Sequence, residues 1–153
     1  MKYFEPKSNV TEEYVLRAFI AECAKRNLNP HDISFLSIKE LVIDRDPNFA
    51  SAKAQYIGRS EVRNFEHLKH LVRDSINQGV PHIISLPVQF PDPPLTRWHI
   101  VTVVGYDDFN FRVYDPNPYR TSPYDLQLPR LLSDLQALAQ SEITDSLVIR
   151  VRV

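Results

Sequence analysis

The stretch that decides the fold is WHIVTVVGYDDFNFRVYDP, residues Trp98 to Pro116. Its β-branched run and the alternation that follows read as two strands, Trp98–Tyr106 and Phe111–Asp115, joined by a tight turn. His99 opens the first strand and Asp115 closes the second. A base and a carboxylate that orients it are what a nucleophile-activating pair requires. The pairing makes a geometric demand. Side chains alternate along a strand, so a simple two-residue loop at Asp108-Phe109 sends His99 and Asp115 to opposite faces. An odd-numbered loop or one β-bulge puts them on the same face.

Upstream of this hairpin the chain reads as helices. Apolar Val15, Leu16, Phe19, Ile20 and Cys23 recur at helical spacing and predict a first helix from Asn9 to about Asn27, ended by Asn29-Pro30. Asn9 and Glu12 have the spacing of a capping pair, and Glu12 and Glu13 suit the first-turn dipole. A short apolar segment over Leu36–Ile43, a loop through Asp44–Asn48 and a small helix near Phe49–Tyr56 follow. Glu61–Gln78 is the clearest second helix, carrying Phe65, Leu68, Leu71, Val72 and Ile76 on one side, with Gly79 as its C-cap. From Val80 the period switches to two. His82–Val88 reads as a strand, the PDPP run at 91–94 as a rigid loop, Leu128–Ala139 as a last helix and Ser146–Val153 as a last strand, with Val148–Val153 an edge open to pairing. Helices first and a mostly antiparallel sheet after them predict an α+β fold in a single domain over 1–153.

Composition sets the function classes. The 153 residues are enough for one domain with a sizeable core, and 43% hydrophobic and 24% charged residues are ordinary globular usage. A formal net charge of -1 supplies no electrostatic argument for nucleic acid or an anionic membrane as partner. Cys23 is the single cysteine, so no intrachain disulfide and no cysteine-rich metal site can form. The Met1 end is polar, and no apolar run is long enough for a signal peptide or a membrane span. The expectation is a chain that is cytoplasmic as synthesised, with export independent of a cleaved signal left open.

Taken together, the G-V-P-H-I-I-S-L strand, the W-H-I-V-T-V-V-G-Y-D strand and the V-Y-D-P-N-P end resemble the C39-like branch of the papain-like cysteine peptidases. The resemblance covers nearly the whole chain, and the His-to-Asp hairpin is its most specific part. It implies N-terminal helices packed on a mostly antiparallel sheet, with a catalytic cysteine opening the first helix. In that family the cysteine often stands in a Cys-Asn-Val-Thr or Cys-Gly-Pro context; here Ser8-Asn9-Val10-Thr11 matches the first, with serine at the nucleophile position. The resemblance makes His99 the base and Asp115 the orienting group; Asn9 and Trp98 are the candidates for the substrate cleft, with core packing the simpler reading of Trp98, as for most aromatic residues at strand starts. The family's glutamine shortly before the cysteine has no counterpart among Lys2–Lys7. Serine is a weaker nucleophile in this setting, because a helix N-terminus brings a thiol near ionisation and leaves a hydroxyl far from it.

The other candidates have simpler readings. Ser8 and Asn9 are also favoured helix-capping residues. Cys23, mid-helix among small and apolar residues, reads as core rather than nucleophile. His67-x-x-His70 with Asp74 reads as a solvated helix face, and Asp44-x-Asp46-x-Asn48 lacks the glycine and closing glutamate of a calcium loop. No metal and no cofactor are expected. Two functional readings remain. One is a peptidase- or amidase-type hydrolase acting on a peptide or protein substrate, inactive or trapped in this form by Ser8. The other is a degenerate, non-catalytic domain that keeps the cleft to bind a peptide or protein partner. Oligomeric state is open.

Overall fold

A computed structural model describes residues 12–29, 34–50, 52–91, 94–115, 121–139 and 144–151. The chain is α+β, with helices and, among the described residues, a six-stranded antiparallel sheet, and forms two compact units: Met1–Tyr56 with Ile149–Val153, and Ile57–Val148.

In the smaller unit, α1 spans Glu12–Lys25. It ends in a Schellman motif before the expected Asn29-Pro30 stop. Asn27 takes a left-handed φ of 55°, and the Leu28 N–H reaches back 2.9 Å to the Cys23 carbonyl. A short α2, Phe35–Ile38, is capped by the Ser34 hydroxyl and runs into a π-helical turn, Lys39–Ile43. The apolar segment expected at 36–43 is therefore helical. Phe19, Cys23, Phe35, Leu41, Val42, Ile43 and Phe49 are buried, so Cys23 is a core residue. The small helix expected near Phe49–Tyr56 is absent. A 3-10 turn at Pro47–Phe49 leads into strand β1, Ala52–Ile57, whose burial alternates residue by residue. Ala, Lys and Gln favour helix on their own; hydrogen bonding to a neighbouring strand overrides that preference.

The larger unit positions the site. Helix α3, Phe65–Asn77, starts four residues later than Glu61, because Asn64 caps it by accepting the His67 N–H at 2.8 Å. Gly79 closes it at φ 73°, with Val80 N–H bonded to the Ser75 carbonyl. A Cβ there meets no atom within 4 Å, so the cost of a side chain is backbone strain alone. Gly79→Ala is expected to lower stability by about 1 kcal/mol, read as a shifted urea midpoint with unchanged m.

Strands β2 (His82–Pro91), β3 (Pro94–Tyr106), β4 (Asn110–Tyr114) and β5 (Tyr124–Gln127) follow, then α4 (Leu128–Ala139) and β6 (Ser146–Val151). Their order is β6-β2-β3-β4-β5, each pair antiparallel. β6 also neighbours β1, so the last strand is not an edge. The β2–β3 ladder runs out to Pro91↔Pro94, where a proline-rich loop was expected. The register explains why. Ser85 N–H points away from β3, to the Asp145 carbonyl, so by alternation Pro87 and Pro91 lack only N–H groups that would also point away from β3. Ile84, Leu86, Val101, Val103, Phe111 and Val113 form one buried face, joined by Phe65, Leu68 and Val72 of α3 and Leu128, Leu131 and Leu135 of α4. No helix among the described residues is long and apolar enough to cross a membrane.

Candidate functional site

The β3–β4 hairpin meets its geometric demand through a bulge. At the turn the register is that of a two-residue loop, Tyr106↔Phe111 and Gly105↔Arg112, with Asp107 N–H bonded to the Asn110 carbonyl at 3.0 Å. One strand position further, Val103 faces Val113 and Thr102 faces Tyr114, so Val104 is an extra residue. That single insertion turns His99 onto the face of Val101, Val103 and Val113, which is also the face of Asp115.

The two side chains meet there. His99 Nε2 lies 2.6 Å from Asp115 Oδ1. The Asp115 side chain is 0% exposed and that of His99 is 29% exposed, so the carboxylate is inside and the imidazole reaches the surface. A buried carboxylate needs donors. Asp115 Oδ2 accepts the Tyr124 hydroxyl at 3.1 Å. Ser122 clips the Asp115 backbone, accepting its N–H at 2.9 Å and donating to its carbonyl at 3.2 Å. An ionised carboxylate only accepts, so Nε2 carries the hydrogen of neutral His99 and Nδ1 keeps the lone pair. The arrangement presents one oriented proton acceptor, Nδ1, to whatever stands before it.

The remaining candidates fall elsewhere. Ser8 and Asn9 lie outside the described residues. Trp98 is next to His99 in β3, so its side chain leaves from the opposite face; it is 42% exposed, with the Arg59 guanidinium 4.0 Å over its ring. His67 Nδ1 accepts the Arg63 N–H at 3.1 Å and so serves the start of α3. Among the described residues, no group of three or more His, Cys, Asp or Glu is placed to hold a metal ion.

Two residues of the site, Ser122 and Tyr124, and one buried histidine away from it, His82, escaped the sequence reading. Ser122 and Tyr124 lie in a stretch with no element assigned from sequence, and the signal for the latter is the in-out alternation of Tyr124, Asp125, Leu126 and Gln127. His82 was read only as a strand start. It is fully buried on the same face, neither ring nitrogen makes a well-formed hydrogen bond, and burial pulls its pKa down to about 4 against a weaker opposing pull from the Leu71 backbone.

No family model matches the chain, and no curated protein matches it. Among solved structures, the chain is similar to one described as a "putative C39-like peptidase" from Bacillus anthracis, at 13% identity and a TM-score of 0.44. The match covers 77% of this chain and 57% of that one, so the chain spans little more than half the length of that structure.

Proposed function

We propose that this chain is a papain-like hydrolase domain of the C39-like type, built to cleave a peptide or amide bond and held inactive by serine at position 8. The observation that carries the reading is the His99–Asp115 hydrogen bond, formed by the two residues that the family resemblance makes base and orienter. With cysteine at position 8, His99 Nδ1 takes the thiol proton and the thiolate attacks the scissile carbonyl carbon. The resulting imidazolium then returns the proton to the leaving amine as the tetrahedral intermediate collapses to a thioester. Water, deprotonated by the same imidazole, hydrolyses the thioester and restores the thiol. Asp115 holds the ring in the Nε2–H tautomer and stabilises the imidazolium in both halves. A serine hydroxyl begins much further from ionisation, so the same device stalls at the first step.

A non-catalytic peptide-binding domain is the second reading. Serine at position 8 and the lack of glutamine across Lys2–Lys7 favour it. One experiment separates the two. Ser8→Cys is expected to react with a small alkylating reagent at residue 8, scored by peptide mass so that buried Cys23 is counted separately. His99→Ala in that background is expected to slow the reaction by about 10²-fold. A thiol at position 8 that alkylates no faster than a free cysteine, with or without His99, selects the binding domain.

A further inference from the structure

The geometry assigns Tyr124 as a positioning residue for the His99–Asp115 pair; the assignment rests on the reading of that pair as base and orienter. Asp115 has two carboxylate oxygens inside the fold and one imidazole to orient. Were both oxygens free, the carboxylate would be able to turn about its terminal bond and offer His99 either one, at varied angles. Tyr124 removes that freedom: its hydroxyl donates to Oδ2 at 3.1 Å, while Oδ1 faces His99 Nε2 at 2.6 Å. The fold puts the hydroxyl there by register. Tyr124 pairs with Val113 on β4, and Asp115, the residue just past the end of that strand, is two positions from Val113, so alternation sends its side chain to the face of Val113 and Tyr124. Ser122, two residues before Tyr124, fixes the Asp115 backbone through its N–H and its carbonyl. Backbone and side chain of the orienter are thus both held from the short segment 122–124, one strand away from the histidine it orients.

The chemical consequence lies in the tautomer. A carboxylate locked with Oδ1 toward Nε2 keeps the hydrogen on Nε2 and the lone pair on Nδ1. A carboxylate free to turn relaxes that preference, and the imidazole spends part of its time with Nδ1–H, which cannot accept a proton.

Long-range ¹⁵N–¹H spectra of histidine-labelled protein, at a pH where the imidazole is neutral, read this directly. The parent chain is expected to show His99 as the Nε2–H form. Tyr124→Phe is expected to lower the Nε2–H to Nδ1–H ratio by about tenfold, the scale of one hydrogen bond to a charged acceptor. Leu126→Ala serves as the comparison: it loosens packing on the same short strand without touching a hydroxyl, and is expected to lower the melting temperature and leave the tautomer alone. An unchanged tautomer in Tyr124→Phe, or the same shift in both variants, overturns the assignment. Alkylation in the Ser8→Cys background adds the functional arm. A tautomer shift together with a slower reaction upholds positioning and function; a tautomer shift with no change in rate upholds the positioning and overturns the hydrolase reading alone.

Discussion

Lowering the pH from 7 to 4 is expected to remove about 3 kcal/mol of stability from the larger unit through His82 alone. The sign follows from where the proton is held. In the folded chain the imidazole is fully buried between Val103 of β3 and Val148 of β6, and its pKa is pulled down to about 4. The unfolded chain protonates near the ordinary value of 6.5. Between those two values the unfolded state binds the proton and the folded state does not, so stability is complete above about pH 6.5, falls as the pH drops, and levels off below about pH 4. The loss is a large share of the stability of a small domain. Urea unfolding followed by Trp98, the chain's single tryptophan and a residue of the same unit, measures it at pH 7, 5.5 and 4. Because other groups titrate in the same range, the decisive quantity is the difference between parent and His82→Leu. The variant is expected to match or exceed the parent at pH 7, where no well-formed hydrogen bond is lost, and to lose about 3 kcal/mol less on acidification. Parallel pH profiles for the two proteins would show that His82 is reached by solvent and plays no part in acid lability.

How far such features were legible depended on whether they lie within one local element. Gly79 announces its helix end by itself, because a left-handed residue after an apolar-periodic run is a local signal. The hairpin was legible to within one residue: the alternation showed that His99 and Asp115 needed an odd insertion, but nothing in V-T-V-V-G marks Val104 as the place. Strand β1 was misread because Ala52–Ile57 has helical residues and becomes a strand only through its neighbour. β5 was missed because four residues between proline-containing segments carry too short an alternation, and the partner that makes Tyr124 a donor to Asp115 is set by the β4–β5 register. Burial of His82 is equally non-local: a histidine at a strand start reads as polar and exposed until α3 and two further strands close over it. Position 8 stands apart from all of these, since its role comes from resemblance and its residues lie outside those described.

Replacing Asp115 by asparagine is expected to slow alkylation of the Ser8→Cys chain by about 10²-fold at pH 7, and to reverse the sign of the Tyr124→Phe effect. The carboxylate accepts from two donors at once, His99 Nε2–H and the Tyr124 hydroxyl. An amide has one oxygen to offer and an NH₂ group in place of the other. If the amide oxygen stays with Tyr124, the NH₂ group faces His99 Nε2, which must then present a lone pair, and the hydrogen moves to Nδ1. The acceptor at Nδ1 is lost. If the oxygen turns to His99, the tautomer survives but the negative charge that stabilises the imidazolium does not. Either arrangement weakens proton removal from the thiol. Tyr124 decides between them, because its hydroxyl competes for the single oxygen. Removing that hydroxyl is therefore expected to slow alkylation when residue 115 is aspartate and to speed it when Asp115→Asn is already present. A double-mutant cycle on the alkylation rate constant measures the reversal, with Trp98 fluorescence and far-UV circular dichroism checking that all four proteins are folded. Equal rates with and without Asp115→Asn would remove Asp115 from the activation of residue 8. Slowing by Tyr124→Phe in both backgrounds would mean that the tyrosine acts through packing and not through the oxygen it holds.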